Sequence, residues 1–184
     1  SMDNIKQFKY KKVKNILTVE EKNIFNTYCQ IKHRINDSQF DMEQSTNWDT
    51  SIYGDPIMES LLCNKKSKME ELTGLSLLPT YSFWRMYTKF ADLSAHKDRP
   101  SCEISVTVNI GSDGTEWPIF IEDKAIDLNP GDGVIYLGCD LTHWRNEFQG
   151  DWCAQTFLHY VDANGLCADH FGDKRKLWGT RKEV

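Results

Sequence analysis

Apolar positions along the chain change their period near Pro79. Before it they recur mostly at helical spacing. A short strand is expected from Phe8 to Val13, and Thr18 with Glu21 then forms a capping box ahead of Ile24, Phe25, Tyr28, Ile31 and Ile35. That spacing predicts an amphipathic helix from Val19 to Ile35. Asp55-Pro56 supplies an N-cap and a proline at the first helical position, and Ile57, Met58, Leu61, Leu62, Met69 and Leu72 continue one helix as far as Gly74. The polar run from Asn36 to Tyr53, containing Trp48, reads as a long loop or lid bordering a substrate entrance.

After Pro79 the pattern turns to short β-rich runs: Tyr81 to Lys89, Leu93 to Asp98, Cys102 to Ile110, Trp117 to Ile121, Val134 to Leu137, Thr142 to Trp144 and Cys153 to Val161. Gly111-Ser112-Asp113-Gly114 and Asn129-Pro130-Gly131-Asp132-Gly133 are turns between them. Regularly spaced short strands imply a sandwich or barrel. The expected architecture is α+β in a single domain: a helical N-terminal layer over residues 1–78, a β core over 79–162 and a C-terminal tail over 163–184.

Charge narrows the partners. With 22 basic and 27 acidic residues the net charge is -5, so no global positive field draws the protein to nucleic acid or an anionic membrane. Basic residues cluster at Lys6, Lys9, Lys11, Lys12 and Lys14 and at Lys174, Arg175, Lys176, Arg181 and Lys182, which read as solvated or frayed termini. The six cysteines form no C-x-x-C pair, and no stretch resembles a signal peptide or membrane span. A reduced, cytoplasmic setting is the expectation, with the cysteines as small buried groups or free thiols.

Chemistry enters at Ala95-His96-Lys97-Asp98-Arg99. On an extended chain positions i and i+2 project to one side, so His96 and Asp98 can share a coordination sphere. His143, well downstream, is the candidate third ligand. Two imidazoles and one carboxylate cover one face of an octahedron and leave the other open, the arrangement of non-haem Fe(II) oxygenases. Singly, each has a plain alternative as a core histidine, a turn aspartate or a loop histidine, and His159 is a rival third ligand. His33 and His170 read as structural or surface residues.

Taken in order, Arg85-Met86-Tyr87, then His96-x-Asp98 nine residues on (96 minus 87), then Cys102 to Asn109, then Pro130-Gly131-Asp132-Gly133-Val134-Ile135-Tyr136 ahead of His143 resemble the prolyl-4-hydroxylase-like branch of the Fe(II)- and 2-oxoglutarate-dependent dioxygenases. The resemblance implies a double-stranded β-helix (jelly-roll, cupin-like) core backed by the N-terminal helices. It also implies Fe(II) held by His96, Asp98 and His143, with 2-oxoglutarate and O2 as cosubstrates. The implied reaction couples decarboxylation of 2-oxoglutarate to succinate with hydroxylation of a substrate, the first guess being a prolyl residue in a protein or peptide. An aspartate in H-x-D disfavours halogenation.

The pattern breaks at one place. The branch carries an arginine or lysine nine or ten residues after the distal histidine, facing the far carboxylate of 2-oxoglutarate; here Trp152 and Cys153 stand there. An unpaired buried carboxylate is costly, so another cation is needed or the cosubstrate differs. Arg145, two past His143 and expected to point into the same cavity, is the first candidate, against a surface salt bridge with Glu147 or Asp151. Arg85 and Arg99 come next, Arg99 pointing away from the metal unless the chain turns at Pro100. Tyr87 and Asn109 are expected hydrogen-bond donors to the cosubstrate. The competing readings are a β-helix protein that binds a metal or small acid without turnover, supported by the missing cation, and repair demethylation of nucleic acid, disfavoured by the charge.

Overall fold

The computed structural model describes residues 3–36 and 49–181. Its first element is a helical turn, α1 (Ile5–Phe8), closed by an Asn4–Gln7 capping box, and Lys9 at φ 69° redirects the chain into β1 (Tyr10–Val13). The expected strand is thus shortened at its start. Helix α2 (Val19–Asn36) begins at the capping box read from the sequence: Glu21 N–H donates to Thr18 Oγ1 at 3.1 Å, and Thr18 N–H to Glu21 Oε1 at 2.8 Å.

The second helical run is two helices, α3 (Pro56–Asn64) and α4 (Lys66–Thr73). Lys65 (φ -83°, ψ 0°) breaks the continuous helix, and the two pieces bury Met58, Leu61, Leu62 and Met69 together. Gly74 at φ 74° closes α4 in the left-handed conformation. Of the expected loop, residues 37–48 with Trp48 lie outside the described residues, and its end is a strand, β2 (Thr50–Tyr53).

The remaining strands are β3 (Leu77–Thr88), β4 (Leu93–His96), β5 (Ile104–Ser112), β6 (Ile119–Ile121), β7 (Lys124–Ile126), β8 (Gly133–Leu137), β9 (His143–Arg145) and β10 (Trp152–Asp162). They form a six-stranded sheet, β1-β8-β5-β10-β3-β2, and a four-stranded sheet, β4-β9-β6-β7, with every pairing antiparallel. The two sheets meet through Tyr136 against His143 and Arg145 against Gln155, giving a double-stranded β-helix. Residues 1–78 are therefore more than a helical layer: they lend β1 and β2 to the larger sheet. β7 was not expected, because Lys-Ala-Ile between acidic residues carries too few apolar positions to show a period.

Alternation in β5 explains the interior. Ile104, Val106, Val108 and Ile110 belong to the main apolar core, where β5 meets α2, whereas Ser105, Thr107 and Asn109 face the space between the sheets. Polar residues normally take the solvent side of such a strand; here they line the barrel. The C-terminal segment is also part of the fold rather than frayed. Arg175 pairs with Glu59 at 2.6 Å, both 2 % exposed, and bonds the Thr80 carbonyl, fastening residues 168–175 to β3. Lys6 likewise pairs with Asp162. No helix among the described residues is long and apolar enough to cross a membrane, and none of the cysteines forms a disulfide.

Candidate metal centre and its cavities

His96 ends β4 directly opposite His143 of β9, and Asp98 follows two residues on, its N–H donating to the Gly138 carbonyl at 2.8 Å. Strand pairing thus brings the distant histidine to the H-x-D pair. Asp98 Oδ1 lies 3.2 Å from Nε2 of each histidine, and one ligand atom from each residue falls within 4.8 Å of the others. This is the only such cluster of three among the described residues.

The histidine tautomers are set by the backbone. His96 Nδ1 lies 2.7 Å from the Ser94 carbonyl and His143 Nδ1 2.8 Å from the Leu141 carbonyl, so each Nδ1–H donates and each Nε2 lone pair turns to the carboxylate. Two lone pairs and an anionic oxygen converging at 3.2 Å repel one another unless a cation, proton or metal, lies between them. The donor set therefore fits a divalent metal. Where a proton takes the metal's place between them, burial pushes the Asp98 carboxyl up, but the hydrogen bonds with His143 and His96 outweigh it and hold it well below the usual carboxylate range. The same hydrogen bond to Asp98 raises His96, against burial. Gly138 backs the ligand: a Cβ there would run into the Cys102 carbonyl and lie 2.6 Å from Asp98 Oδ2.

The triad lines a cavity of about 310 Å3 together with Tyr87, Arg85, Phe83, Phe157 and His159. His159, the rival ligand, is in this cavity but outside the cluster: its Nδ1 lies 2.7 Å from Ser105 Oγ and its ring packs on Tyr81 at 4.5 Å. Burial pushes it down to about 4, so it is neutral at pH 7. Arg85 bonds the fully buried Asp49 through Nε at 2.7 Å and lies over the Tyr87 ring at 4.2 Å. Arg99 is away from the metal, bidentate to Asp173 at 2.6 and 2.8 Å, while its guanidinium covers the outer face of Tyr81.

Arg145 and Asn109 line a second cavity of about 340 Å3, with Trp117, Cys153 and Gln155. Arg145 does not form the expected surface salt bridge. It is 3 % exposed, donates to the Trp117 carbonyl at 2.8 Å and to Gln155 Oε1 at 3.2 Å, and lies over the Trp117 ring. No carboxylate among the described residues pairs with it, and its Nε has no partner. A buried guanidinium without an anion calls for one. Asn109 gives one Nδ2 hydrogen to the Leu128 carbonyl at 2.7 Å, keeps a second, and leaves Oδ1 without a partner among the described residues, so its amide brings both a donor and an acceptor to this cavity. The cavities approach each other at Tyr87, whose ring lines the first and meets Trp117 of the second edge-on at 4.8 Å.

Gly138, Ser105, Asp49 and Gln155 were not singled out in the sequence. Gln155 had a signal, being two residues beyond Cys153 on the inward row; the other three act through contacts distant in sequence.

No protein-family model matches the chain, and no curated protein matches it in sequence. Solved structures do. The non-haem α-ketoglutarate-dependent epimerase SnoN of nogalamycin biosynthesis superposes with a TM-score of 0.69 at 12 % identity, covering 87 % of this chain and 79 % of that one. EctD from S. alaskensis gives 0.68 at 15 % identity over 91 % and 78 %. A Pseudomonas putida prolyl-4-hydroxylase gives 0.63 at 13 % identity over 83 % and 92 %. SnoN and EctD have each been solved with iron and with 2-oxoglutarate. At these identities the likeness is one of architecture: the chain has the double-stranded β-helix fold on which these Fe- and 2-oxoglutarate-dependent enzymes are built.

Proposed function

We propose that the protein is an Fe(II)- and 2-oxoglutarate-dependent oxygenase of the hydroxylase type. The observation that carries the reading is the convergence of two Nε2 lone pairs and a carboxylate oxygen on one point at the wall of a cavity. His96, Asp98 and His143 would hold the metal, and their one-sided arrangement leaves coordination positions open toward that cavity. When bound, iron and 2-oxoglutarate would supply the oxidising chemistry with O2, one oxygen atom going to the keto acid as it loses CO2 to become succinate and the other to a substrate C–H bond.

The chain's own residues bind and orient. The Ser94 and Leu141 carbonyls fix both imidazoles in the tautomer that presents Nε2, and Gly138 leaves room for the carboxylate between them. Tyr87, buried and with no hydrogen bond to its hydroxyl among the described residues, would donate to the far carboxylate of 2-oxoglutarate. Arg145 would supply the countercharge from the second cavity. Asp98 occupies the position a halide would need, which favours hydroxylation. A prolyl substrate is suggested by the resemblance and by the name of the P. putida neighbour, whereas SnoN and EctD are named for other reactions or none.

The test is anaerobic titration of the Fe(II)-loaded protein with 2-oxoglutarate, followed by visible absorption. A metal-to-ligand charge-transfer band that saturates, and that is lost in His143→Ala, is expected; its absence from the wild type would overturn the reading.

A further inference from the structure

The cavity beside the triad is walled by rings, and their disposition says what kind of molecule it accepts. Phe83 and Phe157 are direct partners across the β3–β10 ladder, with ring centroids 6.1 Å apart, and both are only half-buried where they line the cavity. Tyr81 continues the wall and is held rigidly: Tyr53 stacks on it at 4.8 Å, His159 packs against it at 4.5 Å, and its hydroxyl contacts Cys102 Sγ at 3.1 Å. With Tyr81 covered by Tyr53, His159 and Arg99, the half-buried Phe83 and Phe157 are the rings left to take another flat ring against them.

Polarity is sparse and local. The charged side chains of the wall are already matched, Arg85 by Asp49 and Asp98 by the two histidines. Apart from the Tyr87 hydroxyl, which the proposed function gives to the cosubstrate, the wall offers the hydroxyl of Ser51, which is buried at 7 % exposure, has no partner among the described residues and sits opposite Arg85 in the β2–β3 register. About 310 Å3 is at the small end for a ligand pocket and must also admit the cosubstrate, so an extended chain has little room.

We infer that the primary substrate is a small, uncharged, flat ring compound carrying one hydrogen-bonding group, stacked on Phe83 and Phe157 with that group on Ser51. The inference rests on the metal cavity being the reacting site. It does not depend on the neighbours' substrates.

The test uses 2-naphthol as the probe, titrated by its fluorescence into protein loaded with redox-inert Zn(II) and 2-oxoglutarate, and separately into metal-free protein. Saturable one-to-one binding is expected. It should weaken at least about fivefold in Phe83→Ala and Phe157→Ala, several-fold in Ser51→Ala, and be retained in Phe83→Tyr, with Zn(II) affinity unchanged throughout as the check on folding. Absence of saturable binding, binding indifferent to both Phe→Ala changes, or tighter binding of a (Pro-Pro-Gly)5 peptide would overturn the inference. Naphthol binding by a wild type that takes up no 2-oxoglutarate would instead overturn the oxygenase reading and leave the ring site standing.

Discussion

Cys153 and Tyr87 are direct partners across the β10–β3 ladder, so the place where the resemblance expects a cation lies beside the tyrosine. Arg145 reaches the same neighbourhood from β9 in the opposite sheet: burial pushes both the Tyr87 hydroxyl and the Cys153 thiol up, Arg85 and then Arg145 pull the hydroxyl back down, and Arg145 pulls down the thiol. A guanidinium thus stands near Tyr87 from the four-stranded sheet, where the resemblance expects a cation from the six-stranded one.

Arg145→Ala should therefore weaken 2-oxoglutarate binding by about a hundredfold or more and leave metal affinity intact, because a buried carboxylate would lose its countercharge. Adding Cys153→Arg to that variant should recover part of the loss. Calorimetric titration with 2-oxoglutarate reads both, and unchanged affinity in the single variant would remove Arg145 from the site.

Gly138→Ala should damage the metal site specifically. The added methyl would collide with the Cys102 carbonyl and with Asp98 Oδ2, and such overpacking costs about 1–3 kcal/mol. Metal affinity is expected to fall at least tenfold, whereas Gly114→Ala, where a Cβ meets nothing within 4 Å but φ +93° strains the backbone, is the control that loses stability and keeps metal affinity.

His159 gives the metal-free protein a pH dependence. Its folded-state value, about 4, lies below the unfolded value near 6.5, so between those pH values the unfolded chain binds a proton that the folded chain does not. Stability from this group is complete above about pH 6.5 and falls as pH drops toward 4, by about 3 kcal/mol at most. His96 is shifted upward and acts in the opposite sense, so the informative quantity is the difference between wild type and His159→Asn in urea denaturation at pH 7 and pH 5. The wild type should lose more on acidification; equal losses would contradict the burial of a neutral imidazole.

Arg175→Met should destabilise the protein by about 3–5 kcal/mol, since it leaves Glu59 buried and unpaired. A thermal melt within a degree of wild type would mean that the C-terminal segment is the loose tail its composition suggests.

Much of the fold was legible because it follows from local chemistry. The Thr18–Glu21 box and the Asp55-Pro56 start are helix signals within four residues, and β3, β5 and β10 announce themselves by length and branching. The H-x-D pair was legible because i and i+2 share a side of an extended chain. What the sequence could not show depends on distant contacts: Arg175 reads as one more terminal cation until Glu59 is found beside it, and Asp49 has no evident role until Arg85 is found against it. Arg145 was placed on the correct side of β9 by alternation, but alternation cannot tell which of two adjoining cavities a long side chain enters.

The central claim is that the triad supports oxygen-dependent turnover of 2-oxoglutarate. Succinate should be measured after protein loaded anaerobically with Fe(II) and 2-oxoglutarate is exposed to O2, for wild type, His96→Ala and Asp98→Ala. Succinate formed by the wild type and lost in both variants is the expected result. No succinate from the wild type in the presence of ring compounds or prolyl peptides, or equal amounts from all three proteins, would contradict the account.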